Sequence, residues 1–209
     1  MTASKKIRIL MVDDHPLMRE GIAAIIAREP DMLLASDALS GAQAIRNFRE
    51  HTPDVTLMDL RLPDMSGIDA LIGIRNEFPE ARIIMLTTFD GDVEIRRALQ
   101  AGAWAYLLKS MLAKELVETI RQVHSGKKKV APQIAAQLAE YMSDETLTTR
   151  EVEVLDQIAS GSKNRDIADR LGISEETVKV HIKHIMEKLG ARDRTQAVAI
   201  GIRRGFIQI

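Results

Sequence analysis

The sequence has no cysteine among its 209 residues. This absence excludes disulfide scaffolds, zinc sites built on thiolates and cysteine nucleophiles. The sequence also has no apolar run close to the roughly 20 residues that a membrane-spanning helix needs. The apolar stretch near its start, at residues 7–12, ends in two aspartates and is too short for the core of a signal peptide. We therefore expect a cytoplasmic protein with no membrane segment.

The chain carries almost no net charge, because 29 lysines and arginines stand against 30 aspartates and glutamates, a formal net charge of −1. Overall charge therefore gives no support to nucleic-acid binding, which has to be argued from where individual charges lie. Hydrophobic residues make up 45% of the chain, which is enough for a packed core and too much for a disordered chain. A chain of this length is expected to form one or two domains.

Short apolar runs alternate with segments of helical spacing through the first 125 residues. The runs are Ile7–Val12, Met32–Ala35, Val55–Met58, Arg82–Thr87 and Trp104–Leu108. Several are apolar at consecutive positions, which is typical of strands buried on both faces. The alternation predicts an α/β fold, a doubly wound, flavodoxin-like sheet of five parallel strands in the order 2-1-3-4-5. We assign residues 1–125 to this first domain.

The strand pattern stops after residue 125. Residues 126–146 are expected to form a linker with a short helix at 132–142. The second domain, residues 147–209, is predicted to be all-α, with four helices. Capping residues mark the helix starts at Thr148, Asn164, Ser174 and Asp193, and glycines mark the ends at Gly161, Gly172, Gly190 and Gly205.

Three carboxylates are expected to meet at one edge of the predicted sheet. Asp13 and Asp14 follow the first strand, and Asp59 follows the third. Ligands of such a sheet bind beyond the carboxyl ends of its strands, where the strand order reverses. Like charges this close repel one another unless a cation binds, and oxygen ligands of this kind suit Mg²⁺.

The next two strands end in residues that complete a site for a phosphoryl group. Thr87 supplies a hydroxyl and Lys109 an ammonium. A cation, an ammonium and a hydroxyl around Asp59 would let this carboxylate act as a nucleophile and form an acyl phosphate. Taken singly, each residue has an ordinary role as a strand end, helix cap or solvated lysine, but five of them at the ends of four strands are hard to explain that way. We interpret His15 as a helix-start residue at the mouth of the pocket and assign it no catalytic role.

Several motifs make the first domain resemble the receiver domain of a response regulator. They are V-D-D-H-P at Val12–Pro16, L-M-D-L-R-L-P at Leu57–Pro63, the strand-end Thr87, and Y-L-L-K at Tyr106–Lys109. The resemblance covers about residues 5–125. It implies that Asp59 is the phosphoacceptor of a histidine kinase.

The resemblance also implies how the pocket works. Asp14 and Asp59 would bind Mg²⁺ directly and Asp13 through water, and the backbone carbonyl of Arg61 would supply a further ligand. Three more residues would respond to the phosphoryl group: Lys109 by bonding its oxygens, Thr87 by swinging toward it, and Tyr106 by turning inward. Many receivers have a proline after the lysine, where this chain has Ser110, so the sequence leaves the isomer of that peptide bond open.

The third helix of the second domain has one apolar and one basic face. Apolar residues at helical spacing form the buried stripe, namely Val178, Ile182, Ile185 and Leu189. The opposite face carries Lys179, Val180, Lys183 and Glu187. Exposed lysines are commonly only solvated, but an exposed valine between them can contact a thymine methyl group in the major groove. Because a tight turn at 172–174 joins this helix to the preceding one, the pair predicts a helix-turn-helix.

The second domain resembles the LuxR-type DNA-binding domain. The motifs are L-T-T-R-E-V-E-V-L at Leu147–Leu155, N-R-D-I-A-D-R-L-G-I-S at Asn164–Ser174, and T-V-K-V-H-I-K at Thr177–Lys183. With the receiver, they make the chain similar to the NarL/FixJ family of two-component response regulators. The resemblance implies that Lys179, Val180 and Lys183 enter the major groove of double-stranded DNA. It also implies weaker phosphate contacts from Lys163, Asn164 and Arg192, and a homodimer on DNA through the last helix, Asp193–Arg204.

Two other functions are open on sequence grounds. A phosphatase could use Asp59 as its nucleophile, but it would need a second carboxylate nearby as general acid, and Arg61 stands two residues further on. A constitutive DNA-binding protein could use the first domain only to dimerise. Such a protein would have no need for three carboxylates that repel one another, so the complete pocket argues against this function. We therefore expect a phosphorylation-switched transcription factor and not an enzyme.

Overall fold

The structure, a computed structural model, describes residues 6–88, 91–110, 113–130, 134–135, 138 and 146–207. The chain divides into two compact units, and the boundary between their main parts falls between Ala135 and Ala136. Within the described ranges, none of the helices combines the length and the apolar character needed to cross a membrane.

The first unit contains a parallel sheet with helices between its strands. The strands are β1 (Ile7–Val12), β2 (Met32–Ala38), β3 (Val55–Asp59), β4 (Ile83–Thr87), β5 (Ala105–Leu108) and β6 (Lys129–Val130). Their order is β2-β1-β3-β4-β5-β6, and the pairings are parallel. The predicted α/β fold and the order 2-1-3-4-5 are confirmed. The sheet has one strand more than the five predicted.

The additional strand lies in the segment that was predicted to be a linker. It has only two residues, and it pairs Lys129 with Ala105 and Val130 with Tyr106. The Lys129 ammonium donates a hydrogen bond to the hydroxyl of Thr119, at 3.0 Å. No apolar run predicts β6 from the sequence, since it has only two residues and one of them is lysine. It forms by pairing with the backbone of β5 at the edge of the sheet. Of the short helix predicted at 132–142, Ile134, Ala135 and Leu138 are helical, and the remaining positions lie outside the described residues.

The helices between the strands are α1 (Pro16–Ala27), α2 (Gly41–His51), α3 (Gly67–Glu77), α4 (Asp92–Gln100) and α5 (Ala113–His124). The residues of β3 and of β4 are buried without exception. Burial on both faces explains why these runs are apolar at consecutive positions. Asp59 and Thr87 end these two strands, at the edge of the sheet where ligands bind.

The described residues of the second unit form the four helices that the sequence predicts. They are α6 (Thr149–Ala159), α7 (Asn164–Leu171), α8 (Glu175–Leu189) and α9 (Arg194–Arg204). The hydroxyls of Thr148 and Ser174 and the carboxylate of Asp193 each accept a hydrogen bond from a backbone N–H of the first turn. One apolar core joins these helices and includes Val154, Leu155, Ile167, Val178 and Ile185.

Candidate functional site

The carboxyl ends of β1 and β3 bring three aspartates together. Asp13 and Asp59 are almost fully buried, whereas Asp14 is exposed. Together with His15, each offers one ligand atom, and these atoms lie within 4.8 Å of one another. We call the group formed by Asp13, Asp14, Asp59, Thr87 and Lys109 the acidic pocket.

The ammonium of Lys109 lies between the two buried carboxylates. Its Nζ is 2.7 Å from Asp13 Oδ2 and 2.7 Å from Asp59 Oδ2. Burial raises the pKa of Asp59, while the nearby ammonium of Lys109 acts in the opposite direction. Burial also disfavours the charged form of Lys109, but the two carboxylates outweigh it and raise the pKa of the lysine. The lysine therefore stays protonated and is placed to bind added negative charge at Asp59.

A cavity of about 370 Å³ opens over Asp59. Its lining includes Arg61, Thr87 and Lys109, together with the exposed residues His15 and Leu17. Thr87 ends β4 and is buried except for 1% of its surface. Tyr106, on β5, is fully buried. The peptide bond between Lys109 and Ser110 is trans, like the others of the described residues.

The loop after β3 holds Asp59 against the start of α3. Asp64 accepts hydrogen bonds from the backbone N–H groups of Gly41, at 2.8 Å, and Ala42, at 2.9 Å. Gly67 approaches the strand end so closely that a Cβ atom there would lie 1.9 Å from the carbonyl oxygen of Asp59. Sequence reasoning missed Asp64 and Gly67 because their roles arise from contacts between distant segments. The only local signal was Ser66, which caps α3.

His15, which was expected at the mouth of the pocket, is the N-cap of α1 and lines the cavity. Its Nδ1 is 2.8 Å from Asp14 Oδ1 and 3.2 Å from Asp13 Oδ1. Its side chain is nonetheless 67% exposed. The ring therefore lies at the entrance of the acidic pocket and faces two of its carboxylates.

The second unit exposes one face of α8, as its sequence pattern predicts. Val178, Ile185 and Leu189 are buried in the core, and Ile182 packs against it. We call the exposed residues Lys179, Val180 and Lys183 the basic face of α8. Val180 is 46% exposed, so its apolar side chain is accessible between the two lysines.

Both lysines of the basic face pair with carboxylates of their own helix. Lys179 Nζ is 3.0 Å from Glu176 Oε2, and Lys183 Nζ is 3.7 Å from Glu187 Oε1. Glu176 raises the pKa of Lys179. Exposed pairs of this kind are weak, so the ammonium groups remain available to another anion.

The weaker DNA-contact candidates lie at two helix starts. Lys163 is the exposed residue before α7, Asn164 begins that helix, and Arg192 lies just before α9. Arg194, which the sequence reasoning did not consider, donates a hydrogen bond of 3.1 Å to the carbonyl of Ser162. This bond places the start of α9 beside the start of α7.

Comparisons with known proteins agree with both halves of this description. Residues 9–121 match the response regulator receiver domain, and residues 145–200 match the luxR family of bacterial regulatory proteins. The transcriptional regulatory protein YxjL of Bacillus subtilis strain 168 is 40% identical over 97% of this chain and 98% of its own length.

Solved structures give the same result. The response regulator ChrA of a heme-sensing two-component system is 32% identical, with a TM-score of 0.59 over 97% of this chain and 99% of that one. RcsB, solved as two dimers bound to two parallel DNAs, has a TM-score of 0.71 over 95% of this chain and 99% of that one. Because RcsB is only 23% identical, it shows the shared fold alone.

A receiver-type sheet followed by a helix-turn-helix unit defines the DNA-binding response regulators of two-component systems. This chain belongs to the NarL/FixJ family of these proteins, with a LuxR-type DNA-binding domain at its C-terminal side. It is therefore a response regulator that controls transcription.

Proposed function

We propose that a histidine kinase phosphorylates Asp59 and that the resulting acyl phosphate controls dimerisation and DNA binding. The observation that carries this proposal is the position of Asp59, which ends β3 under an open cavity with Lys109 Nζ 2.7 Å from its carboxylate. In the transfer, a carboxylate oxygen of Asp59 forms the new O–P bond while the N–P bond of the kinase's phosphohistidine breaks. Lys109 then binds the added phosphoryl oxygens, and the hydroxyl of Thr87 lies at the same cavity.

The oxygen atoms of the acidic pocket fit Mg²⁺, which prefers carboxylate and carbonyl ligands. Asp13, Asp14 and Asp59, with the backbone carbonyl of Arg61, would hold the ion. When bound, Mg²⁺ neutralises the charge that develops on the phosphoryl group during transfer. The contacts of Asp64 with α2 and of Gly67 with the backbone of Asp59 keep the end of β3 in place for this.

The basic face of α8 is proposed to read base edges in the major groove. Lys179 and Lys183 can donate to guanine, and Val180 can contact a thymine methyl group. Lys163, Asn164 and Arg192 are proposed to contact phosphates, which position the domain without reading sequence.

The last helix, Asp193–Arg204, is proposed to pair two copies of the chain on double-stranded DNA. Thr195, Ala199 and Arg203 are exposed at successive turns of α9, so one face of this helix is open to a partner. That RcsB binds DNA as dimers supports the same arrangement here.

We also infer that the chain is not an enzyme with steady turnover and that it works in the cytoplasm, on chromosomal DNA. Steady hydrolysis at Asp59 would need a second carboxyl group nearby as general acid. The residue two positions further on is Arg61, which lines the cavity and is a cation instead. Release of phosphate from a phosphorylated small molecule at a constant rate over many turnovers would contradict this inference.

The decisive experiment treats the full chain with acetyl phosphate and a divalent cation, and then measures its mass and its DNA binding. The wild type should gain about 80 Da, one phosphoryl group, and should shift DNA fragments more strongly. Asp59→Asn should do neither, because an amide cannot form the acyl phosphate. Glu50→Gln, which changes an exposed carboxylate on α2, should behave as wild type. A stoichiometric adduct on the Asp59 variant would contradict the site assignment.

A further inference from the structure

We propose that His15 is a ligand of the cation in the acidic pocket and binds it through Nδ1. The pocket would then be a mixed nitrogen and oxygen site that accepts first-row transition cations such as Mn²⁺ as well as Mg²⁺. This inference rests on the proposed function, because it concerns the cation that supports phosphorylation of Asp59.

The backbone fixes His15 at the pocket entrance. The N–H of His15 donates a hydrogen bond of 2.9 Å to Asp13 Oδ1. Pro16, the first residue of α1, follows directly, and a residue before proline is confined to extended conformations. His15 accordingly has φ −83° and ψ 112°. These two constraints fix the backbone of His15 at the pocket entrance, within reach of the carboxylates.

The distances from His15 suit a shared ion. Adjacent ligands of an octahedral ion with bonds of about 2.1 Å lie about 3.0 Å apart, and opposite ligands about 4.2 Å apart. Nδ1 of His15 is 2.8 Å from Asp14 Oδ1 and 4.0 Å from Asp59 Oδ2, which belong to the two carboxylates proposed to bind the ion directly. One ion can therefore reach the ring nitrogen and the carboxylates that are proposed to hold it.

The chemistry of imidazole decides which cations the ring of His15 would bind more tightly. A neutral ring with its proton on the solvent-facing Nε2 offers the lone pair of Nδ1 to a metal. Imidazole binds transition cations well, whereas Mg²⁺ prefers oxygen and keeps several waters. Loss of the ring should therefore weaken binding of a transition cation and leave Mg²⁺ nearly unaffected, because water can replace the ring on Mg²⁺.

The alternative role for the ring predicts the opposite result. A protonated ring that bonds to Asp13 and Asp14 would occupy the cation position and compete with any metal. Its removal would then strengthen binding of both Mn²⁺ and Mg²⁺. The sign of the change on substitution therefore separates a ligand from a competitor.

The experiment titrates the full chain with Mn²⁺, followed by the electron paramagnetic resonance of unbound Mn²⁺, and with Mg²⁺ by competition. His15→Ala should weaken Mn²⁺ binding at least about tenfold, because loss of a residue that only orients a ligand already costs about 10–100-fold. It should change Mg²⁺ binding by less than about twofold. Electron spin-echo spectroscopy should show coupling to a nitrogen nucleus in the wild type and lose it in His15→Ala. His184→Ala, which removes an exposed histidine from α8, should leave both readouts unchanged.

A second variant guards against a local folding defect. His15→Gln offers an oxygen in place of the nitrogen, so it should bind Mg²⁺ as wild type and still lack the nitrogen coupling. Tighter Mn²⁺ binding by His15→Ala, or Mn²⁺ bound by the wild type without nitrogen coupling, would overturn the role of His15 alone. Asp14→Ala separates the two proposals, because unchanged binding of both cations in that variant would overturn the pocket itself.

Discussion

The carboxyl group of Asp59 has a higher pKa in the folded chain than its ordinary value of 3.8, chiefly because it is buried. An acid of this kind holds its proton more tightly when folded, so its ionisation lowers the free energy of unfolding. This cost is absent below the ordinary pKa, grows as the pH rises from that value to the folded pKa, and stays constant at higher pH. A nucleophile that must be ionised is thus kept at the expense of stability.

We expect Asp59→Asn to raise the free energy of unfolding at pH 7, because an amide has no charge to bury. The gain should shrink as the pH falls below the raised pKa of the folded carboxyl. It should vanish below the ordinary value of 3.8, where the group is protonated in both the folded and the unfolded chain. Denaturant unfolding at several pH values measures the gain, and Glu50→Gln on α2 serves as the exposed control. A gain of the same size at every pH would show that packing, and not ionisation, accounts for it.

The glycine at the start of α3 is a second residue on which the site depends. A Cβ atom at Gly67 would lie 1.9 Å from the carbonyl oxygen of Asp59, so the strand end or the helix must move. We expect Gly67→Ala to cost about 1–3 kcal/mol of stability, as overpacking does, and to slow phosphorylation of Asp59. Denaturant unfolding and the rate of mass gain with acetyl phosphate measure the two effects.

Gly21 provides the matched control, because a Cβ atom there meets nothing within 4 Å. It lies inside α1, where alanine is a better helix former than glycine, so Gly21→Ala should stabilise the chain by about 0.5–1 kcal/mol. If both substitutions stabilised the chain, the close approach at Gly67 would not constrain the site.

At the scale of single elements, helix starts were predicted well and the sheet edge was not. The starts of α6, α8 and α9 were predicted because capping is local, as when the carboxylate of Asp193 accepts from the N–H of Gln196 at 2.8 Å. Strand β6 was missed because it depends on the edge of β5. The strand-end residues of the pocket could be predicted, because the strand order places the ends of neighbouring strands together. Gly67 and Asp64 could not, because they act through contacts between distant segments that only the folded chain shows.

The basic face of α8 leads to a prediction about sequence readout. Lys179→Ala and Lys183→Ala should each weaken binding to a specific site, by about 1–3 kcal/mol where the lysine bonds guanine. A lysine that meets only phosphate should instead weaken binding to every sequence and reduce the salt slope by about one. Gel shifts across operator variants at several salt concentrations separate the two cases.

Lys114→Ala is the control for this series, because its ammonium is on α5 and its side chain is 85% exposed. It removes the same charge from the chain without touching α8. If Lys179→Ala and Lys183→Ala left affinity unchanged on every sequence, as Lys114→Ala should, then α8 would not be the reading helix.

At the scale of the whole molecule, the formal net charge of −1 limits how strongly one copy can bind DNA. Non-specific affinity comes mainly from lysine and arginine at phosphates. We infer that a single copy binds weakly and that useful affinity requires two copies on one site, which gives phosphorylation a step to control.

The last prediction concerns the spacing of half-sites. A phosphorylated chain should bind two half-sites whose centres are one helical turn apart, about 10 base pairs, because a symmetric dimer presents two copies of α8 to the same side of the duplex. Moving one half-site by about half a turn should reduce affinity at least tenfold, which is about 1.4 kcal/mol. Gel shifts on the in-phase, out-of-phase and single half-site probes, with phosphorylated wild type and with Asp59→Asn, measure this directly. The Asp59 variant should bind the three probes almost equally, since it cannot gain the dimer that phosphorylation favours. Equal binding of the three probes by the phosphorylated wild type would show that the chain recognises DNA as a single copy, and the proposed control through dimerisation would be wrong.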